Sequence, residues 1–379
     1  MVNLLGGSRV EAREYWLALT LIKGLGSIRL SKLLQHFGEP SLIWSAEQRL
    51  LATVSGIGAS LASSIVKQRE QVNIVRLQER LCQEGIEYFT ITDRQYPEIL
   101  KNMYDPPPVL FYKGKINFAS PAIAIVGSRR STGYGCNIAG RLAYELAERG
   151  VAVVSGLARG IDTCGHLGAL KAKGDTIAVL GSGLDQIYPA ENRKLFQEIV
   201  AKGLVLSEYP PGTEPLPGNF PQRNRIISGL SRGVVVVEAS RQSGSLITAD
   251  LALEQGREIF AVPGNINRPQ SQGCNNLIKK GAKMVTAVDD ILEELFLDVD
   301  FAQPAARVSY PQMSEREEVI IQLLQQEGEM NVDQIIQRSH FTVAQVNSIL
   351  LKLELKGLVK REAGKKYLFL GLQNLLKPL

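Results

Sequence analysis

The chain has 379 residues, 45% of them hydrophobic and 21% charged, with 17 prolines; this is a globular composition, which excludes disorder throughout. At about 100–200 residues per domain its length fits two or three domains, and no apolar run approaches the roughly 18 residues of a membrane helix. A formal net charge of +5 permits a polyanionic partner without establishing one, so any anion site must be found in local patterns. The opening MVNLLGGSRVEAREYW carries early charges and no long apolar stretch; it does not read as a secretory signal, and a cytoplasmic protein without membrane contact is expected. Cys82, Cys136, Cys164 and Cys274 form no C-x-x-C pair, which argues against zinc and against a disulfide framework; free or core thiols are expected, with no metal or cofactor.

Residues 1–84 read as a helical domain, with apolar positions recurring at Leu17 and Leu21, at Leu30, Leu33 and Leu34, and at Leu61 and Ile65. A short repeat lies within it: Gly24-Leu25-Gly26 and Gly56-Ile57-Gly58 each precede a helical run. The pattern resembles the helix-hairpin-helix module, whose glycine turn offers backbone N–H groups to phosphate. A plain inter-helix turn is the favoured reading, because few cations beyond Lys23 and Arg29 flank it. From residue 85 short extended pieces, Ile86 to Thr90 and Val109 to Tyr112, are separated by Tyr96-Pro97 and by Pro106-Pro107-Pro108, a run no helix interior accepts.

The domain expected over residues 85–297 alternates continuous apolar runs with helical patterns. Strands are predicted at Ala122 to Val126, Val151 to Ser155, Thr176 to Leu180, Leu204 to Ser207, Val234 to Val237, Glu258 to Val262 and Lys283 to Val285. Helices are predicted at Tyr134 to Arg149, Asp162 to Lys173, Asn192 to Ala201 and Leu246 to Gln255. This alternation indicates an α/β fold with a doubly wound, mostly parallel sheet buried on both faces. Residues 298–312 read as a linker. Residues 313–379 then give three helical segments, Glu317 to Gln326, Asn331 to Arg338 and Thr342 to Lys356, and a hairpin around Gly364-Lys365-Lys366, which is a winged-helix pattern. Between Lys352 and Lys366 cations outnumber anions, although a solvated face explains this equally well.

In such a sheet ligands bind at the carboxyl ends of the strands. The first of these loops, Gly127-Ser128-Arg129-Arg130-Ser131-Thr132-Gly133, combines glycines, hydroxyls and guanidinium groups ahead of a helix N-terminus, which suits an anion. It lacks G-x-G-x-x-G, and the second strand ends in Ser155-Gly156 instead of an acid, so a dinucleotide is not expected. No Walker A sequence occurs either. Gly156 and Arg159, Asn192 with Arg193 and Lys194, Phe220 with Arg223, Asn224 and Arg225, and Ser243 with Gly244 lie at further strand ends, where several cations converging would make a polyanion groove. Tyr134, Tyr188, Tyr209 and Phe220 are interleaved with them, a pattern suited to unpaired bases; Phe220, in a loop rich in glycine and proline, is expected to be the most exposed. Catalytic patterns are poor. His36, His166 and His340 lie in separate regions, with His166 read as a packed helix residue. Glu238 and Glu254 could form a carboxylate pair, but helix capping is the favoured role.

The strings IAIVGSRRSTGYG, VVSGLARGID, IAVLGSGLDQIYPAEN, LSEYPPGTEPLPGNFPQRNRIISGLS, VVVVEASRQSGSLITADLALEQGREIFAVPGN and GCNNLIKKGA together resemble the bacterial DNA-processing protein A family, also called Smf. The resemblance implies an extended Rossmann-like domain between a sterile-alpha-motif-like N-terminal domain and a winged helix. It further implies a non-catalytic protein of natural transformation that binds and protects incoming single-stranded DNA, dimerises, and loads the RecA recombinase, with single-stranded-DNA-binding protein as a further partner. The pocket it implies uses Gly127, Ser128, Arg129, Gly156, Arg159, Asn192, Phe220, Arg223, Asn224 and Arg225. The lysine that some members carry in the Y-P-x-x-N segment is replaced here, leaving Arg193 or Lys194 as the local cation. An apolar strip of Ile259, Phe260, Leu277 and Ile278 is the candidate dimer interface. The competing reading is a Rossmann-like nucleoside monophosphate hydrolase; against it, such enzymes carry P-G-G-x-G-T where this chain has Ser243-Gly244-Ser245-Leu246-Ile247-Thr248. A duplex-binding regulator would have to read bases with Gln345, Ser348 and Lys352, which give only a weak code.

Overall fold

The computed structural model describes residues 12–115, 117–295, 314–327, 329–362 and 366–369; the expected linker and the Gly364-Lys365 turn lie outside them. Helices α1–α6 (Ala12–Thr20, Ser27–Phe37, Pro40–Ser45, Gln48–Ala52, Ala59–Arg69, Ile74–Glu84) build the N-terminal region. Its two glycine turns have the same backbone, with Gly24 at φ 88° and Gly56 at φ 86°, a left-handed conformation that a side chain would strain. Arg29 donates to Gly24 O at 2.7 Å, and Gln68 bridges to Lys23 through both its amide atoms. The first turn is therefore tied into the helical packing, as the plain-turn reading expects. Leu17, Leu30, Leu33 and Ile65 share one buried core with Val109, Phe111 and Leu180, so these helices pack directly on the sheet.

That sheet has nine strands among the described residues: β1 (Glu87–Thr90), β2 (Val109–Gly114), β3 (Ala122–Val126), β4 (Ala152–Ser155), β5 (Thr176–Leu180), β6 (Leu204–Ser207), β7 (Gly233–Val236), β8 (Glu258–Ala261) and β9 (Lys283–Met284). They lie in the order β1-β2-β6-β5-β4-β3-β7-β8-β9, antiparallel at β1-β2-β6 and parallel from β6 to β9. Every residue of β3 to β7 is buried, because helices cover both faces and alternation has no solvent side to serve. Between them run α7 (Glu98–Lys101), α8 (Gly133–Glu148), α9 (Ile161–Lys171), α10 (Arg193–Lys202), α11 (Asn219–Gly229), α12 (Gly244–Glu254) and α13 (Gln272–Lys279), and α14 (Asp289–Leu295) follows β9. The chain winds from β3 outward to β6, then returns to β7 on the other side of β3, so the strand order reverses between β3 and β7.

Helices α8 and α9 lie against each other, and they bring Cys136 and Cys164 to a Cα–Cα separation of 5.4 Å, where the two form a disulfide. The expectation of four unpaired thiols is corrected here: 28 residues separate this pair in sequence, and only helix packing joins them. Cys82 and Cys274 are free.

The C-terminal region comprises α15 (Glu315–Glu327), β10 (Met330–Asn331), α16 (Val332–Ser339), α17 (Val343–Leu355), β11 (Val359–Glu362) and β12 (Lys366–Phe369), around a core of Ile320, Leu324, Ile335, Val346, Leu350 and Leu353. Capping boxes at Asn331/Gln334 and Thr342/Gln345 start its second and third helices.

Candidate functional site

The point where strand order reverses, the usual ligand crevice of such a sheet, is filled from within. Glu238, just after β7, is buried, and its carboxylate accepts from Thr132 N at 2.8 Å and from Thr132 Oγ1 at 2.5 Å. Its carbonyl accepts from Ser128 N at 2.7 Å. Thr132 in turn accepts from Gly135 N at 3.1 Å as the α8 N-cap. A Cβ at Gly135 would sit 2.3 Å from the Glu238 carboxyl carbon, so glycine is what lets the helix come so near. The α8 N-terminus, where the sequence placed a phosphate, is thus occupied by the protein's own carboxylate. Glu238 acts as the favoured capping reading expects, while Glu254 lies exposed at the far end of α12.

The cleft opens instead toward the ends of β4, β5 and β6. It is lined by Arg129, Gly156, Ala158, Arg159, Tyr188, Pro189, Phe220 and Arg223. Phe220 is at its centre. Its ring lies 5.6 Å from that of Tyr188, with Arg129 at 5.3 Å and Arg223 at 5.8 Å from its centroid, so two cations flank one aromatic ring. The sequence put Phe220 in a loop. It stands on the first turn of α11, half-buried, with Pro221 behind it as a residue tolerated at a helix start. Tyr188 is 42% exposed, leaving a ring face open to solvent.

The arginines divide by environment. Arg129 is exposed, and among the described residues it forms no salt bridge. Arg159 is held by Glu191 through a two-pronged contact. Arg223 is buried and donates to Gly156 O at 2.8 Å, to Val179 O, and through Nε to Asn224 Oδ1. Burial pulls its guanidinium down to about 10, opposed by Asp162, so it stays charged at neutral pH. Asp162 accepts from Gly156 N at 3.1 Å and Ala158 N at 3.3 Å, which fixes the loop after β4. Burial pushes that carboxyl up, against the pull of Arg223 and the loop amides.

Other predicted site residues lie elsewhere. Arg225 is buried among Asp105 at 3.0 Å, Glu208, and Ser27 Oγ at 3.3 Å; it is a structural ion pair within the sheet domain, with one hydrogen bond to the N-terminal helices, and does not extend the cleft. Alternate residues of α11 face opposite ways, which is why Arg223 and Arg225 part. Asn192 is buried and donates to Leu157 O at 2.8 Å and to Thr163 Oγ1 at 2.9 Å, anchoring the wall instead of facing a ligand. Arg193 and Lys194 are exposed at the start of α10, outside the lining. Ser243 caps α12, accepting from Ser245 N, and neither it nor Gly244 reaches the cleft. Gly127 and Ser128 form the turn under Arg129, where Ser128 Oγ accepts from Arg130 N at 3.1 Å. Tyr209 braces α11 through its hydroxyl, 3.2 Å from Gln222 Oε1. Phe260 is fully buried and Leu277 is 9% exposed, both in the chain's own core, so of the expected dimer strip only Ile259 and Ile278 retain partial exposure.

His166 is fully buried, its Nδ1 2.7 Å from Thr176 Oγ1, and burial pulls its pKa down to about 3; it packs, as expected from its place in a helix. In the C-terminal region Lys356 pairs with Glu317 at 2.8 Å and Lys366 with Glu329 at 3.5 Å, and Gln345 is spent on its capping box. No helix among the described residues is long and apolar enough to cross a membrane.

A doubly wound sheet with a cationic, aromatic-walled cleft beside its blocked switch point, accompanied by a winged helix, defines a Rossmann-type α/β protein. The chain belongs to the DNA recombination-mediator protein A family, whose model matches residues 87–296, while the model of the DprA winged helix domain matches residues 303–365. It is 37% identical over 391 residues to Protein Smf of Synechocystis, covering 94% of this chain and 98% of that one. It is 49% identical over 215 residues to DNA processing protein DprA of Bacillus subtilis, covering 56% of this chain and 72% of that protein. The X-ray structure of DNA processing protein A from Streptococcus pneumoniae superposes with TM-score 0.68 at 39% identity, covering 76% of this chain and 99% of that one. A Helicobacter pylori DNA processing protein A structure, described for its single-stranded DNA binding mode, gives TM-score 0.51 at 34% identity over 56% of this chain and 98% of its own.

Proposed function

We propose that this protein is a non-catalytic single-stranded DNA-binding protein of natural transformation, which protects incoming DNA and loads a RecA-type recombinase onto it. The observation that carries the reading is the Phe220 ring with Arg129 at 5.3 Å and Arg223 at 5.8 Å from its centroid and Tyr188 alongside. A phosphate takes the exposed Arg129 guanidinium and an unpaired base takes a ring face, an arrangement that reads no base edge and gives no sequence preference. The Helicobacter relative with its described single-stranded DNA binding mode supports the same ligand. The non-catalytic reading rests on how the titratable groups are used: Glu238 holds the α8 N-cap residue Thr132, Asp162 holds a loop, and His166 is buried outside the cleft. On this reading the chain works as a homodimer in the cytoplasm and hands the strand to RecA in exchange with single-stranded-DNA-binding protein.

The test is fluorescence anisotropy of a labelled single-stranded oligonucleotide across a salt series, with duplex and a nucleoside monophosphate as competitors. Tight, salt-sensitive binding that duplex competes for poorly is expected. Absence of strand binding with consumption of the monophosphate would replace this reading by the hydrolase.

A further inference from the structure

Arg159 lines the cleft, yet its guanidinium already has an anion. Its Nε and Nη2 donate to Glu191 Oε1 and Oε2, the second contact at 3.0 Å, with both side chains 53% exposed. A two-pronged hydrogen bond along one guanidinium edge is also how arginine takes a phosphate. A phosphate that approaches along that same Nε–Nη2 edge therefore competes with Glu191 for its donors.

The pairing is built into the fold. Glu191 sits on the 3-10 turn Ala190–Asn192, and the next residue, Asn192, is buried and donates to Leu157 O and Thr163 Oγ1. Leu157 and Thr163 flank Arg159 on the loop and helix that follow β4. Asn192 thus clamps the turn bearing Glu191 onto the segment bearing Arg159. Arg159 in turn holds the Glu191 carboxyl below the usual carboxylate range, so it is ionised at neutral pH.

We propose that Glu191 is a specificity-determining residue, a resident carboxylate that occupies Arg159 in the empty cleft and is displaced by a phosphate of the bound strand. This rests on the nucleic-acid reading above. A strand already held at Arg129 delivers its next phosphate at high effective concentration and displaces Glu191, whereas a small free anion competes without that help. Glu191 thus tunes the site against lone anions at some cost in affinity for the strand.

The experiment compares the full chain with E191Q, R159A and the double variant by oligonucleotide anisotropy, with inorganic phosphate as competitor. E191Q keeps the side-chain shape and removes the charge. It should bind the strand about two- to fivefold more tightly at low salt, the range of an exposed ion pair. The gain should shrink as salt rises, because exposed charges are screened. Phosphate should also compete better against E191Q than against the wild type. In the R159A background E191Q should change nothing. Equal or weaker strand binding by E191Q, or a gain that survives in R159A, overturns the proposal; the latter would make Glu191 a general negative charge at the rim. Failure of the wild type itself to bind the strand would instead strike the nucleic-acid reading, and the proposal with it. Unfolding midpoints of the four proteins keep a folding defect apart from a binding effect.

Discussion

Arg129 and Arg225 look alike in sequence, and the structure predicts opposite failures when each is cut to alanine. Arg129 is exposed beside Phe220 and carries no structural ion pair among the described residues. On the proposed reading, removing it deletes one phosphate contact, worth about 0.7 in the slope of log K against log salt for a single strand, or roughly fivefold in affinity at 0.1 M salt. Its unfolding midpoint should stay where it is. Arg225 is 9% exposed at its side chain, between Asp105 and Glu208 at 22% and 13%. Removing it strands two partly buried carboxylates, a milder form of a loss that costs about 3–5 kcal/mol when the pair is fully buried. Burial already pushes both carboxyls upward, so protonation absorbs part of the loss and the lower end, about 3 kcal/mol, is expected. Strand binding by the folded fraction should keep the wild-type salt slope. Oligonucleotide anisotropy across salt and urea unfolding of each variant provide the measurement. An Arg225→Ala protein of wild-type stability with a reduced salt slope would refute the division of roles, as would an Arg129→Ala protein with an unchanged slope.

Phe220→Ala should weaken strand binding by about 1–3 kcal/mol, the worth of one base stacked on a ring, with little change in salt slope; an unchanged affinity would show that no base uses the ring. His166 is buried with its pKa pulled down to about 3, so the unfolded chain takes up a proton that the folded one refuses, and stability is lost as pH falls below the ordinary histidine value. Urea unfolding between pH 6.5 and 4 should lose up to about 1.4 kcal/mol per pH unit on this account, a component absent in His166→Gln; parallel pH profiles for the two proteins would contradict it. Reducing the Cys136–Cys164 bond, which spans 28 residues, should lower unfolding free energy by about 3.5 kcal/mol if chain entropy dominates. A denaturation midpoint indifferent to dithiothreitol would count against the bond. Gly135→Ala should disturb the loop bearing Arg129, since its Cβ would press on the Glu238 carboxyl, and should weaken strand binding as well as stability. Full retention of both would mean the contact yields without cost.

Much of the fold was legible in the sequence. Runs such as Ala122–Val126 and Thr176–Leu180 are apolar at every position because parallel strands are covered on both faces, and this signal survives without any partner in view. The paired glycine turns at Gly24 and Gly56 were visible for a similar reason: one local backbone geometry demands one residue type. Helix α11 was missed because its first turn reads as a polar, proline-containing loop, although proline in a first turn is itself a helix-start signal. The strand-end loops marked where a ligand would meet the sheet. The roles of the arginines in those loops could not be read there. Whether a guanidinium is free for phosphate depends on which distant carboxylate the fold sets against it: Asp105 and Glu208 for Arg225, Glu191 for Arg159, and none among the described residues for Arg129. Periodicities, strand-end positions and residue chemistry are local and can be read along the chain. The Cys136–Cys164 pair, the filling of the switch point by Glu238 and the displacement of the cleft toward Phe220 emerge only on folding, because burial and electrostatic pairing are properties of neighbours brought together across the chain.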